Sequence, residues 1–201
     1  RSTIRNCNLH HLRRTAILGG ATDLTSENNH IHDFSPWELG KTPYGDHCDF
    51  IALWTDATNI ERNVRILNNR MENNAPATIM GVWVAGPAGY ENVEFRGNRL
   101  FGTDHQGYML TSVRGGVIAD NELTGRAGII LRDGVSGIIG TNNVYATASD
   151  FAKGTTGNLI APPITSLIDP RDARIADLEA ELASALARIE AARLALQPKS
   201  S

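Results

Sequence analysis

The chain has 201 residues, 41% of them hydrophobic and 20% charged, with a formal net charge of −3 at pH 7. That is enough for one domain with a substantial core plus an appendage. The charge balance excludes bulk attraction to nucleic acid or to an anionic membrane, and no apolar run approaches the ~18 residues that a membrane span needs. Sixteen Arg stand against three Lys, Lys41, Lys153 and Lys199. Guanidinium forks suit an acidic ligand, and a GC-rich genome accounts for the same bias. The chain lacks an initiator Met and a signal-peptide pattern and opens inside a repeat, so it reads as the C-terminal piece of a longer protein.

In chain order, two kinds of segment alternate. Residues 4–9 (IRNCNL) set a pattern apolar-x-x-Asn-x-apolar with Cys7 in the Asn place, and residues 15–18 (TAIL) form a short apolar run. Residues 26–31 (SENNHI) repeat the first pattern around Asn29, and residues 49–53 (DFIAL) repeat the second. Then follow 66–71 (ILNNRM), 81–84 (GVWV), 95–100 (FRGNRL), 107–110 (GYML), 118–123 (IADNEL), 128–131 (GIIL) and 139–144 (IGTNNV). The fourth position of the Asn pattern reads Cys7, Asn29, Asn69, Asn98, Asn121 and Asn142, with spacings of 22, 40, 29, 23 and 21.

A period near 22 with one Asn per period predicts a solenoid in which each period is one coil. Like positions then stack about 4.8 Å apart on neighbouring coils. A stacked Asn passes its amide hydrogen bonds to the next Asn and to turn backbone, satisfying groups that a tight turn would strand. The short apolar runs suit strands buried on one face, and parallel stacking explains the lack of hairpin signals between them. The expected fold is a right-handed parallel β-helix of about six coils with an Asn ladder, over residues 1–147. Cys7 and Cys48 fall at repeat positions that should not face one another, so no disulfide is expected, and both read as packing residues.

Residues 148–168 read as an irregular connector containing Pro162 and Pro163. A helix is expected over 169–197, with Asp169 as N-cap, Pro170 at N1, Asp172 complementing the dipole and Pro198 as the stop. Ile175, Leu182, Ile189 and Leu196 fall at a positions and Leu178, Ala185 and Ala192 at d, with Leu186 widening the stripe. Self-association through this coiled-coil-like seam is the expectation. A dimer, or a helix capping its own β-helix, are the alternatives.

The repeat resembles the pectate-lyase-like superfamily of polysaccharide lyases, alginate epimerases, pectinases and bacteriophage tailspikes, over roughly the first three quarters of the chain. A β-helix followed by a C-terminal oligomerisation element also looks like a tailspike or fibre. That likeness implies a trimer, a place outside the cell or on a virion surface, and a glycan partner. The fold alone leaves the reaction open.

The long period points to where chemistry would sit. Its excess, residues 33–50, carries Trp37, Glu38, Lys41, Tyr44, Asp46, His47 and Asp49, and loops inserted on a solenoid often form its binding face. Aligning DHCDFIAL with DHQGYML stacks Asp46-His47 on Asp104-His105, and places Arg13, His47, Ile79, His105 and Arg126 in one column. In this alignment Asp49 takes the column of Gly81, Gly107 and Gly128. An acidic polysaccharide suits such a column: Arg13, Arg126, Arg132 and Asp104 line it, and Trp54 and Trp83 offer faces for sugar rings.

β-Elimination needs a neutralised uronate carboxylate, a base for the C5 proton and an acid for the leaving oxygen. His47, Tyr44 and Lys41 can fill the base and acid roles, with His105 in the same column. Asp46 could orient His47 or, with Asp49 and Asp104, hold Ca²⁺ through hard oxygens. The string Tyr44-Gly45-Asp46-His47 resembles that of alginate epimerases, without their spacing between Asp and His. Hydrolysis by two carboxylates, such as Asp46 with Asp49 or Asp104, is the rival chemistry, and a non-catalytic binding segment is the rival function. His30 and His32 alternate before the insertion and read as surface strand histidines, because no third metal ligand is evident.

Overall fold

A computed structural model describes residues 1–37, 48–73, 79–103, 106–125, 127–145 and 159–160. All strand pairing within them is parallel, in three sheets. The first sheet stacks Ser2–Arg5, Leu24–Glu27, Glu61–Leu67, Tyr90–Arg96, Val113–Ala119, Ser136–Thr141 and Leu159–Ile160. The second holds Asn8–Leu9, His30–Ile31, Arg70–Glu72, Arg99–Thr103 and Glu122–Gly125. The third holds Ile17–Gly19, Asp49–Trp54, Met80–Ala85, Gln106–Leu110 and Gly128–Leu131. The chain visits first, second and third sheet in turn and then returns, so each circuit is one coil of an all-β solenoid compatible with a parallel β-helix. Five circuits carry a strand in every sheet, and Ser136–Thr141 opens a sixth.

Inward positions are apolar and stack like on like, which is why the strands of one sheet cannot slip. Val64 lies beside Val93, and Ile66 beside Phe95, which in turn lies beside Ile118; all are fully buried. A one-residue slip would turn every such column outward.

Between the first and second sheets the chain turns through one residue of positive φ. Asn6, Asn28, Asn68, Asp120 and Asn142 adopt φ of 52–58°, and Gly97 takes the same place at 65°. Asn and Asp tolerate this left-handed region better than other side-chain-bearing residues. The next residue is the ladder rung. Asn29, Asn69, Asn98 and Asn121 each donate from the backbone N–H and from Nδ2 to Oδ1 of the rung on the following coil, at 2.8–3.1 Å. Each Nδ2 also donates back to a carbonyl of the preceding coil: Ile4, Ser26, Ile66 and Phe95 respectively. Cys7 starts the series through its backbone N–H, which donates to Asn29 Oδ1 at 2.9 Å.

The last rung corrects the sequence alignment. Asn143, 5% exposed, accepts from Asn121 and donates to the Ile118 carbonyl, whereas Asn142 is the exposed positive-φ residue before it. The spacing from Asn121 is therefore 22, not 21. Strand pairing also reaches into the stretch read as connector, where Leu159–Ile160 pairs with Ile139 and Gly140. The expected helix over 169–197, and the rest of the connector, lie outside the described residues.

The outer face of the first sheet is laced with ion pairs, including Arg5–Glu27, Arg62–Glu91, Arg114–Glu91, Arg65–Glu94 and Arg96–Asp120 at 2.8–3.0 Å. Hydrogen bonds from Arg114 and Arg62 hold the Glu91 carboxyl below its ordinary range. Burial would raise Glu94, but Arg65 and Arg96 outweigh it and hold it low as well. Asp56, capped by the backbone N–H groups of Thr58 and Asn59, is lowered to about 2. Groups depressed in the folded state contribute stability that is complete above their unfolded pKa and lost as pH falls through the folded one. The melting temperature should therefore hold between pH 7 and about 5 and decline between about 4.5 and 2. A thermal-melt series across pH 2–7 checks this, and a flat profile would contradict it.

Candidate functional site

The third sheet carries the candidate surface. Its cross-coil register aligns Leu18, Ala52, Trp83, Met109 and Ile130 in one column. None of these belongs to the core cluster, whereas their strand neighbours Ile51, Val82, Tyr108 and Ile129 do. The column therefore alternates with the core positions, as period 2 requires, and opens to solvent at Leu18 and partly at Trp83 and Met109. Leu18 is 75% exposed, and Trp54, one column along, is 51% exposed. The Trp54 and Trp83 rings lie 5.3 Å apart and are inclined at 58°. Two tilted indoles, with exposed Leu18 and partly exposed Met109 on the same face, form an apolar step of the kind that receives the C–H face of a sugar ring, while Ala52 and Ile130 are buried.

The cationic residues expected near this surface divide. Arg13, exposed, sits 5.1 Å over the ring of Trp37, which fixes both at the entry to the third sheet on the first two coils. Arg132 is exposed and directly follows Gly128–Leu131, its N–H bonding the Leu110 carbonyl. Arg13 and Arg132 therefore mark opposite ends of the sheet along the solenoid axis.

Asp49 is placed differently from the sequence alignment. It pairs with Met80, so Phe50, not Asp49, is the residue beside Gly81. The same register sets Cys48, not His47, in line with Ile79. The Asp49 side chain is 1% exposed, and Thr15 Oγ1 donates to its Oδ2 at 3.3 Å. The backbone N–H of Asp49 donates in return to Thr15 Oγ1, so this carboxylate ties the first coil to the second. Cys48 is buried with its thiol directed to the Arg13 carbonyl, as a packing residue would be. Lys41, Tyr44, Asp46, His47, Asp104, His105 and Arg126 lie outside the described residues, and with them most of the expected column and two of the three expected Ca²⁺ ligands, Asp46 and Asp104.

The residues the sequence reading passed over are Leu18, Met109, His10 and His11. The first two complete the outer column of the third sheet. The two histidines lie beside His32 and Asp33 at the far edge of the second sheet. Their signal was present, because a period of 22 stacks 10 on 32 and 11 on 33.

Comparison with known protein families, with curated proteins and with solved structures finds no match for this chain. The functional reading therefore rests on the residues themselves.

Proposed function

We propose that this chain recognises an acidic polysaccharide along the outer face of the third sheet and cleaves it by β-elimination. The observation that carries the binding half is the Trp54–Trp83 pair on the third sheet, where Trp54 is half-exposed and Trp83 partly buried beside it. Arg13 and Arg132 flank the step and supply the charge that a uronate chain requires. His47, Tyr44 and Lys41 are the proposed acid and base, with Asp46 and His105 beside them. In this reading the solenoid is a right-handed β-helix of the pectate-lyase-like kind. It belongs to a tailspike-like protein outside the cell or on a virion, trimeric through residues 169–197.

Binding without cleavage is the second reading, and the burial of Asp49 favours it, since a carboxylate tied to Thr15 is withdrawn from substrate. The two are separated by incubating the chain with alginate and polygalacturonate and following the ultraviolet absorbance of unsaturated uronates. Growing absorbance supports elimination, and retention on the polysaccharide without it supports a binder. Trp54→Ala and Trp83→Ala should each weaken retention roughly tenfold, about 1.4 kcal/mol, with the thermal melt little changed. Equal retention by wild type and both variants would remove the third sheet as the binding face.

A further inference from the structure

The described part of the chain contains four histidines, His10, His11, His30 and His32, and all four meet on one patch of the first two coils. Leu9 pairs with Ile31 and Leu12 with Phe34, so the stretch Leu9-His10-His11-Leu12 lies in register over Ile31-His32-Asp33-Phe34. His10 therefore stacks on His32, with ring centroids 5.4 Å apart and planes within 15°. His11 lies over Asp33, and both hold the left-handed conformation at φ 56°. This places one nitrogen of His10, one of His11 and a carboxylate oxygen of Asp33 all within 4.8 Å of one another.

We propose that His10, His11 and Asp33 bind a divalent transition metal ion of the zinc class, bridging the first and second coils. Two imidazole nitrogens and a carboxylate oxygen, drawn from two coils, converge on one small volume, and His10 and His11 face each other there through Nδ1. Two imidazoles that meet through their Nδ1 atoms hold at most one proton between two lone pairs, or aim both lone pairs at a shared cation. The adjacent carboxylate supplies the charge that favours the cation. Imidazole nitrogen with a single carboxylate is a borderline donor set, which suits Zn²⁺ and its neighbours rather than Ca²⁺ or Mg²⁺. Ligands at ~2.1 Å in a tetrahedral set stand about 3.4 Å apart. Reaching that spacing asks only for rotation of His10 and His11, which are exposed, and of the partly exposed Asp33.

The surroundings match what oriented ligands need. His32 contacts Asp33 Oδ2 through Nδ1 at 2.9 Å and Asn8 Oδ1 through Nε2 at 2.7 Å, so it positions the carboxylate without being a ligand. His30 stacks on His32 at 4.1 Å and is held in turn by Glu72 at 2.9 Å. Three protein ligands leave a fourth position for water. This site is separate from the third-sheet surface and does not depend on the glycan reading.

Titration of the full chain with Co²⁺, followed by visible absorbance and by displacement with Zn²⁺, tests the proposal. One equivalent should bind, reverse with chelator and raise the melting temperature, since an ion that binds only the folded state stabilises it. His11→Asn and Asp33→Asn suit the positive-φ positions they occupy, so they remove a ligand without straining the backbone. Each should weaken binding at least tenfold, while Asn142→Gly, on the last coil, leaves it unchanged. Absence of binding at millimolar Co²⁺, or equal affinity in both ligand variants, would overturn the site. If either variant fails to fold, paramagnetic broadening of the His10 and His11 ring signals in the wild type decides instead. Broadening confined to other residues would also overturn it.

Discussion

An Asn98→Leu variant should melt roughly 6–12 °C below the wild type, corresponding to about 3 kcal/mol for a folded unit of this size. Leucine keeps the four side-chain heavy atoms and the Cγ branch of asparagine, so the loss comes chiefly from hydrogen bonding, with the bulkier methyl groups adding to it. Asn98 is fully buried in the middle of the ladder. Its Oδ1 accepts from the Asn69 N–H at 2.9 Å and from Asn69 Nδ2 at 3.0 Å. Its Nδ2 donates to the Ile66 carbonyl at 2.8 Å and to Asn121 Oδ1 at 3.0 Å. Leucine replaces none of these and leaves the Asn69 N–H without its acceptor in a dry interior. A stranded buried group costs on the order of 1–3 kcal/mol, and more than one is stranded here. Asn142→Gly is the control, since Gly97 already takes the same positive-φ place on another coil. Its side chain is exposed, bonded to Asp120 at 3.2 Å, and its loss should shift the melt by no more than ~2 °C. Equal melting of the two variants would show that the ladder does not carry the load its geometry implies.

Gly81→Ala is the second large effect, and it acts through backbone collision. A Cβ at Gly81 would strike the carbonyl oxygen of Gly107 on the next coil and lie 2.7 Å from the carbonyl carbon. These are backbone atoms of a paired strand, with Tyr108 beside Val82 and Met109 beside Trp83. Relief would require the coils to separate, which breaks that pairing and opens the core beneath it. Overpacking of this kind costs about 2–3 kcal/mol. Gly115→Ala provides the contrast: its Cβ meets nothing within 4 Å, and only the φ of +70° opposes it. That cost is about 1 kcal/mol. Denaturant midpoints of the two variants should rank Gly81→Ala well below Gly115→Ala. The reverse order would mean that backbone strain, not coil spacing, limits this solenoid.

The chain's repeat carried most of the fold in its letters. Asn29, Asn69, Asn98 and Asn121 were identifiable as rungs because each coil must satisfy the same turn with the same amide, so like residues recur at the coil period. The final rung was ambiguous because Asn142 and Asn143 are adjacent and both are amides. Only the turn separates them: one residue takes positive φ and points to solvent, and the next turns inward. Asp49 was misaligned by one position for a related reason. The 18-residue excess before it removes any count from the previous rung, so its place follows from pairing with Met80 and not from spacing.

Function was less legible than fold, and the difference is physical. The period of the Asn pattern and the apolar runs by themselves determined that the chain stacks in parallel coils, since no other arrangement buries those runs and pairs those amides together. They also supplied the 22-residue offset that lays His10 over His32 and His11 over Asp33. Tertiary structure alone decided that His10, His11 and Asp33 converge, that Trp54 and Trp83 lean together across neighbouring columns of the third sheet, and that Asp49 turns in to Thr15. Spacing along a coil states which residues are neighbours on adjacent coils. Which way a side chain then points depends on the exact turn conformation and on packing across the coil, and both exist only once the coils have stacked.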